Sequence, residues 1–449
     1  MPLNMSLGRW RSRTTFVFAL AASAVGLGNL WRFAYLVGDN GGAPFLIAYV
    51  VCLFILAVPV LIAETALGSH GRGSPVMAFG LAARRSLLGN AWSFWGGLAC
   101  LTGVLILGYY IVVAGWGLHY AWSMHSGDFA AASARQVSIH YDDLLGSLPD
   151  MLAWQTGFLG LALLIVAGGV RRGLGLFVWL LVPSLVVLMW LLIDFALENG
   201  DVSAAGRFLF SVQWLDFTSE SVLLALGHAF YTLSVGVGIG VAFGAYAPDR
   251  VPLGRSILAV AIFDTAIAMA AGIAIFPLVL VNHVEPTLGP GLLFLSVPYA
   301  FGNLPQGEIY GALFFLLTVL AALGSAVALL EPGIGSLVQY TRLRRVPATL
   351  LVGVLVWLLG AAVAASLSGR PGFGGLFPWL DRVTANFLLP LGALAVAVFV
   401  GWRMRETLLR REMYRESEGF FQVWLLLLRF VAPLAILVVW FWSIMPDRP

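Results

Sequence analysis

Eleven apolar runs, each long enough to cross a lipid bilayer, restrict this 449-residue chain more than any other feature. A helix of ~20 apolar residues spans the hydrocarbon core. Within that core only helices or closed barrels satisfy every backbone polar group. The runs cover 13–37, 42–69, 89–124, 152–169, 174–197, 221–247, 254–282, 306–340, 346–369, 380–402 and 420–445, numbered here spans 1 to 11. They predict an all-α polytopic membrane protein of 11 transmembrane helices, with 1–449 as one domain. Charged residues make up 10% of the chain, against roughly a quarter in soluble domains.

The arginines orient the spans. The chain contains no lysine. Arginine collects in cytoplasmic loops. With the N-terminus inside, eighteen arginines fall in inner loops or tails and only Arg135, Arg207, Arg370, Arg382 and Arg448 outside. Arg32 and Arg429 lie within spans. An odd number of spans puts the C-terminus outside. The expected location is the cell (inner) membrane. The run after Arg13 is too long for a signal-peptide core, so no cleaved leader is expected. Short basic loops between spans argue against a nucleic-acid partner. Cys52 and Cys100 lie in apolar runs and predict neither a disulfide nor a metal framework.

Two spans carry matched interruptions. Span 1 reads "FALAASAVGLGNLWRFAYL" (Phe18–Leu36), with Gly26, Gly28, Asn29 and Arg32 inside it. Span 6 reads "HAFYTLSVGVGIGVAFGAY" (His228–Tyr246), with Gly236, Gly238 and Gly240. Each is the first helix of a five-helix set. Five is odd, so the second set runs inverted. This predicts a 5+5 inverted repeat, 13–197 and 221–402, with helix 11 (420–445) added. Glycines also serve close helix packing, but two matched breaks flanked by polar residues favour unwinding. In inverted-repeat transporters such paired breaks mark a midplane binding site. Unwound carbonyls bind a hard cation, and a half-helix N-terminus binds an anion. An amino acid travelling with sodium needs both.

The motifs "SAVGLGNLWRF" (Ser23–Phe33), "NGG" (Asn40–Gly42), "GYY" (Gly108–Tyr110) and "FYTLSVGVG" (Phe230–Gly238), with a proline-broken hairpin between spans 7 and 8, resemble the neurotransmitter:sodium symporter family. The layout and "LLEP" (Leu329–Pro332) resemble its bacterial branch, which has the leucine-transporter fold. The resemblance implies two sodium sites. The first takes the Ala24 carbonyl, Asn29, Thr232 and Asp264. The second takes carbonyls of Ala22, Val25 and Ala321 with the Ser325 hydroxyl. It implies that Tyr110 and the backbone at Gly28 hold the substrate carboxylate. Ala24, Phe230, Thr232 and Ser234 hold its amine. Ile106, Tyr110, Tyr231, Val237, Ser325 and Leu329 line the side-chain pocket, and Phe230 closes over it. Arg32 and Asp381 form an outer gate, with His228 where the family usually has glutamine. Glu64 ties down the broken segments.

Some positions depart from that pattern. Gly324 stands where the family has an oxygen ligand for the second sodium, so Gly324→Ser or Gly324→Thr is expected to raise sodium affinity. Leu7 and Gln339 stand where an arginine and an acid latch the inner gate; a more populated inward-open state follows. Arg9 or Arg11 supplies a basic alternative, with no obvious acid. Gly26 replaces the aspartate of monoamine carriers and leaves room for a carboxylated ligand.

The implied function is sodium-coupled import of neutral, apolar or aromatic amino acids by alternating access. One or two sodium ions take part, with no organic cofactor. Asp264 and Ala268 replace the asparagine and serine of chloride-dependent relatives, so chloride independence is expected. The alternatives are transport of another small carboxylated amine, or a slow transporter acting as a sensor. A channel would need a continuous polar pore. An enzyme would need a phosphate loop, a nucleophile elbow or paired metal-spaced histidines, and none is in the sequence. A monomer or weak homo-oligomer in the bilayer is expected.

Overall fold

The computed structural model describes residues 8–30, 32–282, 291–341 and 343–444. Leu7, His283, Arg342, Arg448 and the first residues of the outer hairpin lie outside them. The described residues are almost entirely helical, with one isolated bridge between Gly42 and Val212. Among the described residues nine helices are long and apolar enough to cross a membrane, and Arg13–Ala24 with Leu27–Asp39 makes a tenth, bent by 65°. The expected span at 221–247 consists of two shorter helices, Ser219–Thr232 and Ile239–Ala245, separated by residues 233–238. By length neither half crosses a bilayer alone.

Burial sorts the spans. Windows in span 3 (Asn90–Ser126) and span 8 (Gly307–Tyr340) are 72% and 78% buried. Those of spans 4, 5 and 11 are 33%, 33% and 28% buried. Spans 3 and 8 therefore pack against each other at the centre, and the others present apolar faces to lipid. Leu164, Leu180, Trp190 and Leu434 are such exposed side chains. Arg429 in span 11 is paired: its guanidinium donates to the Gly401 carbonyl at 2.6 Å and meets Glu406 at 3.2 Å. Both cysteines are free.

The breaks are held by specific contacts. Val25, after the first half of span 1, is extended at φ −69°, ψ 110°. In span 6, Ser234, Gly236 and Gly238 have φ of 51°, 96° and 75°. At Gly236 a Cβ would come within 2.4 Å of the Leu389 carbonyl of span 10. Only glycine fits both that conformation and that approach. Glu64, fully buried in span 2, accepts from Gly236 N at 2.8 Å and Gly240 N at 3.1 Å. Those N–H groups lie at the start of the second half-helix, where no intrahelical partner exists. At the outer side, Thr218 and Ser221 form a capping box on span 6, and Ser221 also donates to Asn40 beyond span 1 at 2.9 Å.

The outer hairpin differs from expectation. Leu292–Ser296 and Val297–Gly302 form its first arm. Residues 303–306 then turn, with Gln306 at φ 60°. Chain from Gly307 continues without interruption into span 8.

Candidate functional site

The two broken spans meet span 7 at a buried polar cluster. Asp264 is 0% exposed. Its carboxylate accepts from Asn29 Nδ2 at 2.7 Å and from the Thr232 hydroxyl at 2.8 Å. The other side of the Asn29 amide, Oδ1, accepts from Gly26 N at 3.1 Å. A buried carboxylate requires a compensating charge. Among the described residues no arginine or histidine lies within ion-pair distance of Asp264. Thr232 and Asp264 present oxygens, the ligand type a hard cation prefers, while Asn29 turns its amide nitrogen to Asp264 and its oxygen to Gly26 N. No group of three His, Cys, Asp or Glu side chains occurs among the described residues. The cluster thus suits a monovalent cation better than a transition metal.

Beside it lies a cavity. Of the residues expected to hold the first sodium and the substrate, Ala24, Gly28, Asn29, Ile106, Tyr110, Tyr231, Thr232, Ser234, Val237, Ser325 and Leu329 all line it. The Tyr110 hydroxyl is buried there without a hydrogen-bond partner. A Cβ at Gly26 would meet Ser325 Oγ at 2.7 Å and the Tyr110 hydroxyl at 3.5 Å. The bare backbone at Gly26 therefore keeps the polar end of the cavity open. Leu27 and Leu389 also line it. Neither carries a polar or spacing signal that the sequence could have shown.

Phe230 requires correction. It does not line this cavity; it faces an outer one, together with Arg32, Leu224, Ile436 and Trp442. Tyr231 lines both cavities. Neighbouring residues on a helix point about 100° apart, so one register step moves the ring out of the site. His228 also lines both cavities, stacked on Phe33 at 5.4 Å, with neither ring nitrogen hydrogen-bonded.

The second expected cation site is partly assembled. Ser325 Oγ lies 3.3 Å from the Ser23 carbonyl and 3.5 Å from that of Val25. Ala321 is buried one turn earlier on span 8. The Ala22 carbonyl closes on Gly324 so tightly that a Cβ would stand 2.3 Å from it.

The two ends of the pathway differ. Outside, Arg32 is exposed and lies over the Tyr231 ring at 5.3 Å. Asp381 is also exposed, and no ion pair within 4.0 Å joins it to Arg32. The expected outer gate is unlatched. Inside, Trp10 is 3% exposed. Its backbone N–H donates to the Tyr246 carbonyl at 2.8 Å and its indole N–H to the Phe243 carbonyl at 3.1 Å. Arg9 pairs with Asp249 at 2.6 Å and Arg72 with the same carboxylate at 3.0 Å. Tyr246 donates to Glu331 at 2.6 Å, and Arg345 pairs with Glu331 at 2.5 Å. Gln339 instead accepts from Ser74 N at 2.7 Å. The missing latch is thus rebuilt on Asp249, in the loop after span 6. These contacts tie the N-terminal segment to the inner end of span 6 and the loop after it.

These features define a sodium-dependent carrier of small molecules, and sequence comparison agrees. The sodium:neurotransmitter symporter family matches residues 7–141 and 143–449; the chain belongs to that family. An uncharacterized sodium-dependent transporter of Bacillus subtilis (strain 168), YhdH, is 32% identical over 96% of both chains. The sodium- and chloride-dependent GABA transporter 2 of Mus musculus is 27% identical, over 78% of this chain and 66% of its own length. The crystal structure of MhsT in complex with L-phenylalanine superposes with a TM-score of 0.87 at 34% identity, covering 98% of this chain and 100% of MhsT. The protein is therefore a multi-pass membrane symporter coupled to sodium, and not an enzyme.

Proposed function

We propose that this symporter imports neutral amino acids with apolar or aromatic side chains. The observation that carries this reading is the two-ended cavity. Gly28, Asn29 and Tyr110 make one end polar, while Ile106, Val237 and Leu329 make the other apolar. The backbone and the orphaned Tyr110 hydroxyl suit a carboxylate. The similarity to MhsT bound to L-phenylalanine supports the size class.

The first sodium is held by Ala24, Asn29, Thr232 and Asp264, with the substrate carboxylate completing it. A second, held by Ala22, Val25, Ala321 and Ser325, lacks a ligand at Gly324. Segments 13–197 and 221–402 act as inverted repeats that rock about the site. Arg32, His228 and Asp381 close the outer side. The N-terminus is cytoplasmic, the C-terminus is extracytoplasmic, and the carrier works as a monomer or weak homo-oligomer in the cell membrane. Asp264 supplies the negative charge that chloride supplies in other relatives, so transport needs no chloride.

Uptake of a labelled amino-acid panel into proteoliposomes, with and without an inward sodium gradient, tests this. Sodium-driven uptake of phenylalanine, leucine or tryptophan is expected. Uptake confined to a small non-α amine such as GABA would favour the second reading, for which the GABA-transporter relatives speak. Flux unaffected by sodium would overturn both.

A further inference from the structure

On the inner face, beside the inner ion pairs, a cavity of roughly 700 Å³ lies between three elements. They are the end of span 2 with Ser69, His70 and Arg72, the loop Pro248–Val251, and the cytoplasmic helix Glu406–Glu412. Arg85, Arg250 and Arg411 also line it.

Its carboxylates are already satisfied. Glu412 accepts from Ser69 at 2.7 Å and contacts His70 Nδ1 at 3.4 Å. Burial pushes the Glu412 carboxyl up, but the bonds from His70 and Ser69 outweigh it and hold it below the usual range. Asp249 is held by Arg9 and Arg72. The three arginines are exposed and have few or no protein partners. Arg85 makes one hydrogen bond, to His70 Nε2 at 3.0 Å. Among the described residues neither Arg250 nor Arg411 has a side-chain hydrogen bond or ion pair. Arg250 is also held at φ 65°, a conformation that costs a residue with a Cβ. Three exposed arginines, each with five donors, thus line one cavity whose acids are occupied. Arginine in inner loops orients a membrane protein, but orientation requires no cavity and no convergence.

We propose that this cavity binds a phosphate group, with Arg85, Arg250 and Arg411 as its donors. Arginine forks match phosphate oxygens bidentately. Basic pockets between helices on the cytoplasmic side suit anionic lipid headgroups. An inner-leaflet lipid and a soluble phosphate share this chemistry. The cavity also contains Arg72 and Asp249, so its occupant sits against the inner latch.

The test uses the full chain in phosphatidylcholine nanodiscs, with cardiolipin or inorganic phosphate added separately. Bound cardiolipin is counted by native mass spectrometry and phosphate binding by thermal stabilisation. Arg85→Gln, Arg250→Gln and Arg411→Gln are expected to weaken binding by roughly five-fold each. Arg171→Gln with Arg172→Gln, on another inner loop, controls for surface charge and is expected to have no effect. Retained stabilisation by sodium shows that the variants fold. Variant-sensitive cardiolipin binding supports a lipid source, and variant-sensitive phosphate binding a soluble one. Binding equal in wild type and triple variant, or none in either arm, overturns the site.

Discussion

Asn29 and Asp264 are 235 residues apart in sequence, and a 2.7 Å hydrogen bond joins them in a fully buried cluster. That bond ties broken span 1 to span 7. Asn29→Ala removes both the donor to Asp264 and the acceptor of Gly26 N. A hydrogen bond to a charged group contributes about 1.5–3 kcal/mol, so sodium-dependent substrate binding is expected to weaken by at least ten-fold. Sodium titration of labelled-substrate binding measures this. Unchanged affinity with intact sodium dependence would remove Asn29 from the site.

Gly324 reverses an expectation. Its family position suggests that an added hydroxyl would strengthen the second sodium site. The structure leaves no room: a Cβ would stand 2.3 Å from the Ala22 carbonyl and 3.0 Å from Leu181. Gly324→Ser must push span 1 away and displace a ligand carbonyl. Lower apparent sodium affinity and a lower melting temperature are expected. A variant with higher sodium affinity would show that the spans separate without cost.

The inner closure has two parts of unequal weight. Arg9 and Asp249 are half-exposed or more, at 51% and 64%, and such pairs contribute about 0–1 kcal/mol. Trp10 is buried against Phe243 and Tyr246, with ring centroids at 5.4 and 5.8 Å. Removing a buried aromatic costs about 3–5 kcal/mol. Asp249→Asn is therefore expected to move the population toward inward-open only a few-fold, and Trp10→Ala far more. Spin-label distances between the first and sixth spans on the inner side check this ranking. The opposite order would make the ion pair the true latch.

Asp264 also bears on anion dependence. Ala268, one turn later in span 7, is buried and has no hydroxyl. Wild-type uptake is expected to persist when gluconate replaces chloride. Asp264→Asn with Ala268→Ser should introduce chloride dependence. Uptake by the wild type that collapses without chloride would refute the fixed-carboxylate reading.

The sites that the sequence exposed are those where a residue conflicts with its surroundings. Glycines and Asn29 within apolar runs are costly in lipid, so they reveal the breaks. Glu64 came from the family resemblance, and its carboxylate accepts from Gly236 N and Gly240 N. Phe230 and Tyr231 show the opposite case. Both are aromatic and adjacent, and nothing in their chemistry says which ring lines the cavity.

Sequence by itself determined the class of molecule, the helical spans and the positions of the breaks. These follow from hydropathy and from misfit, which are local properties. Tertiary structure decided that Tyr231 rather than Phe230 lines the cavity, that Gly324 admits no side chain, and that Asp249 holds both Arg9 and Arg72. Each depends on helix rotation or on the approach of segments far apart in sequence. Asp249 lies 240 residues from Arg9 and 177 from Arg72, and an acid in a polar loop conflicts with nothing until folding brings those arginines to it.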